Sequence, residues 1–238
     1  MKKSIGTFAA FAGCLLILAG CGGGGGGGGS SGTPPPVAST NTFPLQGLQN
    51  RVISGTTENF TVEDACNGTA TIASSAPVPD TFEGIQGYSA TQTASAKFSN
   101  CVPSTSTVSV TNHYDANYTL IGTTSTGGEY IRYATAPPAL PATGKVGDKG
   151  TIVTLDKYTS SNQSFHTGKR VISYEIEPDT ATTAIFDLIT QDYDSNDVLA
   201  ITEHSLYRMA ASGSLTLLYI DVQYSAPNAR HLLYTQVP

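Results

Sequence analysis

The chain reads as an all-β protein of antiparallel strands, and three observations carry that reading. Apolar and polar residues alternate with period two along most of the chain after Cys66. Turn residues punctuate the alternating runs at short intervals. No segment beyond Cys21 sustains a long helical period. Such alternation builds strands with one face on a core and the other largely polar, the pattern of antiparallel sheets. About ten strands in series predict a meander that forms an open or closed barrel, or a two-sheet sandwich.

Taken in order, the elements justify themselves as follows. Ala90, Ala94, Ala96 and Phe98 alternate with Thr91, Thr93, Ser95 and Lys97. Val108, Val110 and Tyr114 alternate with Ser109, Thr111 and His113. Ile172, Tyr174 and Ile176 alternate with Ser173, Glu175 and Glu177, and Leu218, Ile220, Val222 and Tyr224 with Tyr219, Asp221 and Gln223. Further strands are expected near 69–75, 117–124, 129–135, 150–158, 183–192, 198–208 and 230–236. The separators are Thr126-Gly127-Gly128, Pro137-Pro138, Gly147-Asp148, Ser161-Asn162, Pro178-Asp179, Ser212-Gly213 and Pro227-Asn228, all turn chemistry. The β domain is placed at 66–238. Residues 43–65 are ambiguous: Phe43-Pro44-Leu45 and Leu48 can dock on the domain, and Val52-Ile53-Ser54-Gly55 can be a first strand.

The start of the chain has a different character. Lys2 and Lys3 precede an apolar run from Ile5 to Ala19, which is the make-up of a secretory signal peptide and too short and wrongly flanked for a spanning helix. Residues 1–20 are therefore assigned to a leader. Its end, Leu18-Ala19-Gly20-Cys21, resembles the lipobox of bacterial lipoproteins. The resemblance implies cleavage before Cys21 and lipidation of that residue, so the membrane becomes a partner through the lipid anchor. Gly22 stands where an Asp tends to retain such proteins in the inner membrane, which implies the cell outer membrane, with the domain in the periplasm or at the cell surface. An unbroken glycine run, Gly22 to Gly29, leads through Ser30-Ser31-Gly32 to Pro34-Pro35-Pro36. Residues 21–42 are a flexible tether, with an end-to-end distance on the order of 25 Å. The lipobox and glycine tract together resemble Gram-negative lipoproteins without an assigned activity, so the resemblance adds no chemistry.

Composition narrows the function. The formal net charge is −6, and Lys2 and Lys3 leave with the leader, lowering it by two. An acidic chain with no basic cluster does not bind nucleic acid by neutralising phosphates. Four cysteines are present. Cys14 goes with the leader and Cys21 is the anchor, so Cys66 and Cys101 are the one pair left for an intramolecular disulfide in an oxidising compartment.

The sharpest chemical pattern is Asp192-x-Asp194-x-Asn196 with Glu203 at the twelfth place, which matches much of a calcium-binding EF-hand loop. Asp197 stands where that loop needs glycine, and the flanks read as strands. A hairpin turn capped by its own Asp and Asn side chains is the expected alternative. Residues 111–117 echo 190–196, which the same turn chemistry used twice explains. The four histidines are not at zinc spacing, and no G-x-S-x-G or phosphate-binding glycine pattern occurs. No catalytic residue, cofactor or resident metal is assigned. The sequence thus predicts a non-enzymatic binding or envelope-structural domain. The alternatives are a carrier with a deep apolar groove, and a hydrolase whose scattered nucleophile, base and oxyanion donors converge in one cleft.

Overall fold

A computed structural model describes residues 36–133, 135–136, 139–225 and 229–237. The elements are β1 (Phe43–Pro44), α1 (Gly47–Ser54), β2 (Thr56–Asp64), β3 (Gly68–Ser74), β4 (Val78–Phe82), β5 (Ile85–Phe98), β6 (Thr105–Asp115), β7 (Leu120–Ser125), β8 (Tyr130–Tyr133), β9 (Thr143–Gly144), β10 (Lys149–Tyr158), β11 (His166–Pro178), β12 (Thr183–Asp194), β13 (Leu199–Ala210), β14 (Leu215–Tyr224) and β15 (Arg230–Gln236). Neighbouring strands pair in the order β3-β2-β15-β14-β13-β12-β11-β10-β8-β7-β6-β5, and a further β3–β5 pairing closes the ring. The result is an antiparallel twelve-strand closed β-barrel. Of the architectures open from sequence, the closed barrel is the one formed.

Closure depends on the length of β5. Its second half, Gln92 to Phe98, pairs with β3, and its first half, Ile85 to Ser89, pairs with β4. Glu83 and Gly84 between β4 and β5 both have positive φ, which suits a tight two-residue hairpin. That hairpin curls over the outer wall. Phe82 stacks on His113 of β6 at 4.2 Å between ring centroids and packs on Tyr130 of β8, which makes a small second apolar cluster with Ile121.

Alternation sorts the wall. Phe60 and Val62, Val153 and Leu155, Phe186 and Leu188, Tyr207 and Met209, and Leu232 and Tyr234 face the lumen and are buried. The outward positions of β2 and β3 include Thr57, Asn59, Thr61, Glu63, Thr69 and Thr71, and those of β5 include Thr91, Thr93, Ser95 and Lys97. At the end remote from α1, Cys66 and Cys101 form a disulfide with 5.6 Å between their α-carbons. It ties the β2–β3 turn to the β5–β6 loop across the closing seam.

Two expectations are corrected here. The β domain does not begin at residue 66, because β2 fills the gap between β15 and β3 and the ring cannot close without it. Nor is Val52-Ile53-Ser54 a strand, because it is the end of α1, with Gly55 as its C-cap. An eight-residue helix without a side-chain N-cap has little stability of its own, so its local signal is weak and packing against the barrel holds it. Cys21, the leader and most of the tether lie outside the described residues, as do the turn prolines Pro137, Pro138 and Pro227.

Candidate functional site

A ring of about eight strands is narrow enough for side chains to fill, and a wider one is not. The twelve-strand lumen is therefore occupied in three zones. At the end where the chain enters, Phe43 and Leu45 are fully buried, β1 pairs with β9, and α1 lies across the opening. At the remote end, charged side chains cross the lumen. Between them lies a cavity of about 140 Å³.

Residues at helical spacing build the cavity floor. Leu48, Arg51 and Val52 project from one face of α1 into the cavity. Gly47 brings the helix backbone against the β13–β14 turn, where an added β-carbon would stand 2.2 Å from the Gly213 carbonyl oxygen. Gln49 Nε2 donates to the Asn117 carbonyl at 3.0 Å, which pins the helix to the β6–β7 turn. Arg51 forms an ion pair with Glu58 of β2, and its guanidinium sits 5.0 Å from the Tyr207 ring centroid. Burial pushes the Tyr207 phenol well above its ordinary value, with Arg51 opposing the shift, so Tyr207 stays a neutral hydroxyl.

The cavity walls divide by chemistry. Ile152, Val153, Ile172, Leu188 and Ile220 make a broad apolar wall, completed by Ile72, Leu120 and Leu140. Ser74, Gln92 and Asn112 make a polar strip on β3, β5 and β6, and Glu203 joins the wall from β13. Gln92 Nε2 donates to Ser74 Oγ at 3.2 Å, and Thr123 Oγ1 donates to Asn112 Oδ1 at 3.3 Å. Gln49, Ser75, Tyr118 and Thr119 line the side where α1 meets two turns. Tyr118 stacks on Tyr88 at 4.6 Å between centroids, placing an aromatic pair beside that opening. A mostly apolar cavity with a few convergent polar groups is the common form of a small-molecule site.

The structure separates the residues of the calcium pattern. Asp192 faces the lumen and takes two hydrogen bonds from Arg170, both 2.7 Å, and one from Lys157 at 3.1 Å. Burial raises its pKa, but the two cations outweigh burial and hold it below the ordinary carboxylate value. Asp194 is exposed at the barrel rim, and its Oδ1 accepts from the backbone N–H of Asn196 at 2.8 Å and of Val198 at 3.0 Å. Glu203 is buried on the cavity wall. These groups do not converge, and Asp194 is a turn cap. Asp115 repeats the device, accepting from the N–H groups of Asn117 and Thr119, both at 2.8 Å. Tyr118 and Asp197 take the positive φ at matching places, so the sequence echo is one hairpin chemistry used twice.

None of the four histidines lines the cavity. Each stands beside a carboxylate instead: His113 with Asp80, His166 with Asp156, His204 with Asp187, and His231 with Asp64 and Asp221. The array Asp80–His113–Thr124 has the order of a nucleophile relay, with contacts of 2.8 and 3.2 Å. Phe82 covers the imidazole face, and burial lowers the His113 pKa against the pull of Asp80. His113 is then a neutral ring donating from Nδ1 and accepting Thr124 Oγ1–H at Nε2, a clamp for the β4–β5 hairpin.

Sequence reasoning missed the polar lumen, though a signal existed. Arg170 falls in phase with Ile172, Tyr174 and Ile176, and Glu203 in phase with Ser205, Tyr207 and Met209. A charge in the apolar phase of a strand marks a buried polar group. No known protein family, curated protein or solved structure matches the chain.

Proposed function

We propose that this protein is an envelope lipoprotein, held to the outer membrane by lipid on Cys21, whose barrel binds a small, largely apolar ligand in its lumen without chemical conversion. The observation that carries the binding reading is the cavity of about 140 Å³ bounded by α1, lined mostly by apolar side chains with a few polar ones among them. Binding is favoured over catalysis because the wall's hydroxyls, Ser74, Ser75 and Thr119 among them, have no histidine, cysteine or lysine beside them on the cavity wall. A purely structural role leaves the aromatic pair and the polar strip around the cavity without a use.

On β2, β3 and β5 the outward threonines, serines and lysine make a polar face, unlike the apolar band that a membrane-spanning barrel turns to lipid. The described chain enters beside α1: Val37 bridges to Asp179, and Ser39 Oγ donates to the Ala181 carbonyl at 3.0 Å. A tether from Cys21 thus reaches the barrel at the cavity end, and the opening lies on the anchored side.

Two experiments test the two halves. Cys21→Ser is expected to release the protein from the membrane fraction, and retention with normal processing refutes the anchor. Saturating toluene is expected to raise the melting temperature of the anchor-free domain, by linkage worth about 2.7 kcal/mol at a hundredfold excess over Kd. No rise at any soluble concentration refutes the lumenal site.

A further inference from the structure

We propose that the lumenal cavity selects a neutral ligand with an apolar body about the size of a benzene ring and a hydroxyl head, a phenol in the simplest case. This inference rests on the lumen being a binding site and adds the chemical class of what it takes.

The size follows from the void, and the neutrality from the charges around it. A dry apolar cavity of roughly 150 Å³ accommodates benzene, and this one measures about 140 Å³. Val52, Ile72, Leu120, Ile172, Leu188 and Ile220 offer such a ring dispersion contacts. The charges of the lumen are spent on one another. On the cavity wall Arg51 pairs with Glu58, and Glu203 is engaged as well. Toward the remote end Asp192 takes hydrogen bonds from Arg170 and Lys157, and Lys157 also stands 3.5 Å from Glu129. An ion of either sign gives up its hydration on entry with no counter-charge left to meet it, so a neutral ligand is favoured.

The head group follows from two neighbouring side chains. Ser74 of β3 and Gln92 of β5 are direct partners in the pairing that closes the barrel, and both line the cavity. Gln92 is 7% exposed, its Nε2 donates to Ser74 Oγ at 3.2 Å, and its Oε1 has no hydrogen-bond partner among the described residues. A buried acceptor left unsatisfied is costly, and a donor brought in by a ligand removes that cost. Ser74 Oγ accepts the bond from Gln92 and has its own O–H to donate. An acceptor and a donor thus stand side by side on the wall. A hydroxyl answers both, because it donates and accepts, whereas an ammonium only donates and a carboxylate only accepts. By strand order β3 and β5 stand across the ring from β11 and β12, which carry Ile172 and Leu188. The hydroxyl then lies on the polar strip while the ring rests on the apolar wall.

The test is a matched series on the wild-type anchor-free domain: toluene, phenol, benzylammonium and benzoate, by calorimetric titration at pH 7. Phenol and toluene have the same shape, but phenol surrenders far more hydration, so a wall without a polar partner takes toluene in preference. Phenol is expected to bind at least as tightly as toluene, and both ions at least tenfold more weakly than phenol. Gln92→Leu is expected to weaken phenol at least tenfold while toluene affinity stays within threefold. Phenol weaker than toluene, or either ion within tenfold of phenol, overturns the head-group assignment and leaves the binding site standing. A smaller loss of phenol in Gln92→Leu, or an equal loss of toluene, also overturns it. No binding by any of the four overturns the lumenal site itself. The wild-type series decides the ligand class without the variant, so a poorly folding Gln92→Leu does not block it.

Discussion

Asp192 and Asp194 stand two positions apart and have opposite fates. One is a buried counter-ion to Arg170, the other an exposed cap on its own backbone. Asp194→Ala is expected to lower the urea midpoint only slightly, by the loss of a local side-chain-to-backbone bond, and equally with or without calcium. Asp192→Ala leaves Arg170 and Lys157 without their shared carboxylate and is expected to cost about 3–5 kcal/mol. Urea midpoints of the two variants check the contrast, and a calcium-dependent midpoint for wild type contradicts the turn assignment. The Asp192 pKa is depressed on folding. Its contribution is therefore complete above the ordinary value of 3.8 and is lost as pH falls through the lower folded value. His231 has the opposite sign. Burial lowers its pKa, but Asp221 and Asp64 outweigh burial and raise it. Its contribution is complete below 6.5 and disappears as pH rises through the raised folded value. The stability gap between wild type and His231→Gln is expected to narrow over that window, and a gap that widens with pH contradicts the pairing. The sequence showed the Asp-x-Asp-x-Asn spacing but not its split, because Asp192 lies inside the lumen whereas Asp194 ends β12 at the rim, where its side chain turns back onto the N–H groups of Asn196 and Val198.

At the scale of elements, most strands were legible because burial on one side imposes period two. β10, β12, β13 and β15 fall within a residue or two of their expected limits. α1 was not legible, since three lumenal residues on eight positions make no repeated period. The β4–β5 hairpin was missed because its turn is Glu83-Gly84 rather than the usual Asn-Gly or Asp-Gly. Both pieces depend on contacts distant in sequence, and both respond to single changes. Gly47→Val drives a side chain into the Gly213 carbonyl and is expected to cost about 1–3 kcal/mol by overpacking. Ile53→Ser, on the exposed side of the same helix, is expected to stay within about 0.5 kcal/mol. Equal melting temperatures for these two variants contradict the seating of α1. Reducing Cys66–Cys101 opens a loop closed over a separation of 35 residues and is expected to cost about 4 kcal/mol, read from midpoints with and without reductant.

At the scale of the whole molecule, barrel and sandwich share one alternation, so strand patterns alone leave them equal. What decides is the β3–β5 pairing, in which a long strand serves two partners, and no local signal records it. Closure at twelve strands then makes a lumen that ordinary side chains underfill, and the cavity, its α1 floor and its polar strip follow from that width. The cavity is the central claim, and Ala90 tests it most directly. Ala90 is buried, lines the cavity and lies opposite Asn112 in the β5–β6 register. Ala90→Leu fills part of the void from within, so its melting temperature is expected to equal or exceed that of wild type, as for other cavity-filling changes. Saturating toluene is expected to raise the melting temperature of wild type and to leave that of the filled variant unchanged. An equal rise in both proteins places the ligand elsewhere and contradicts the account.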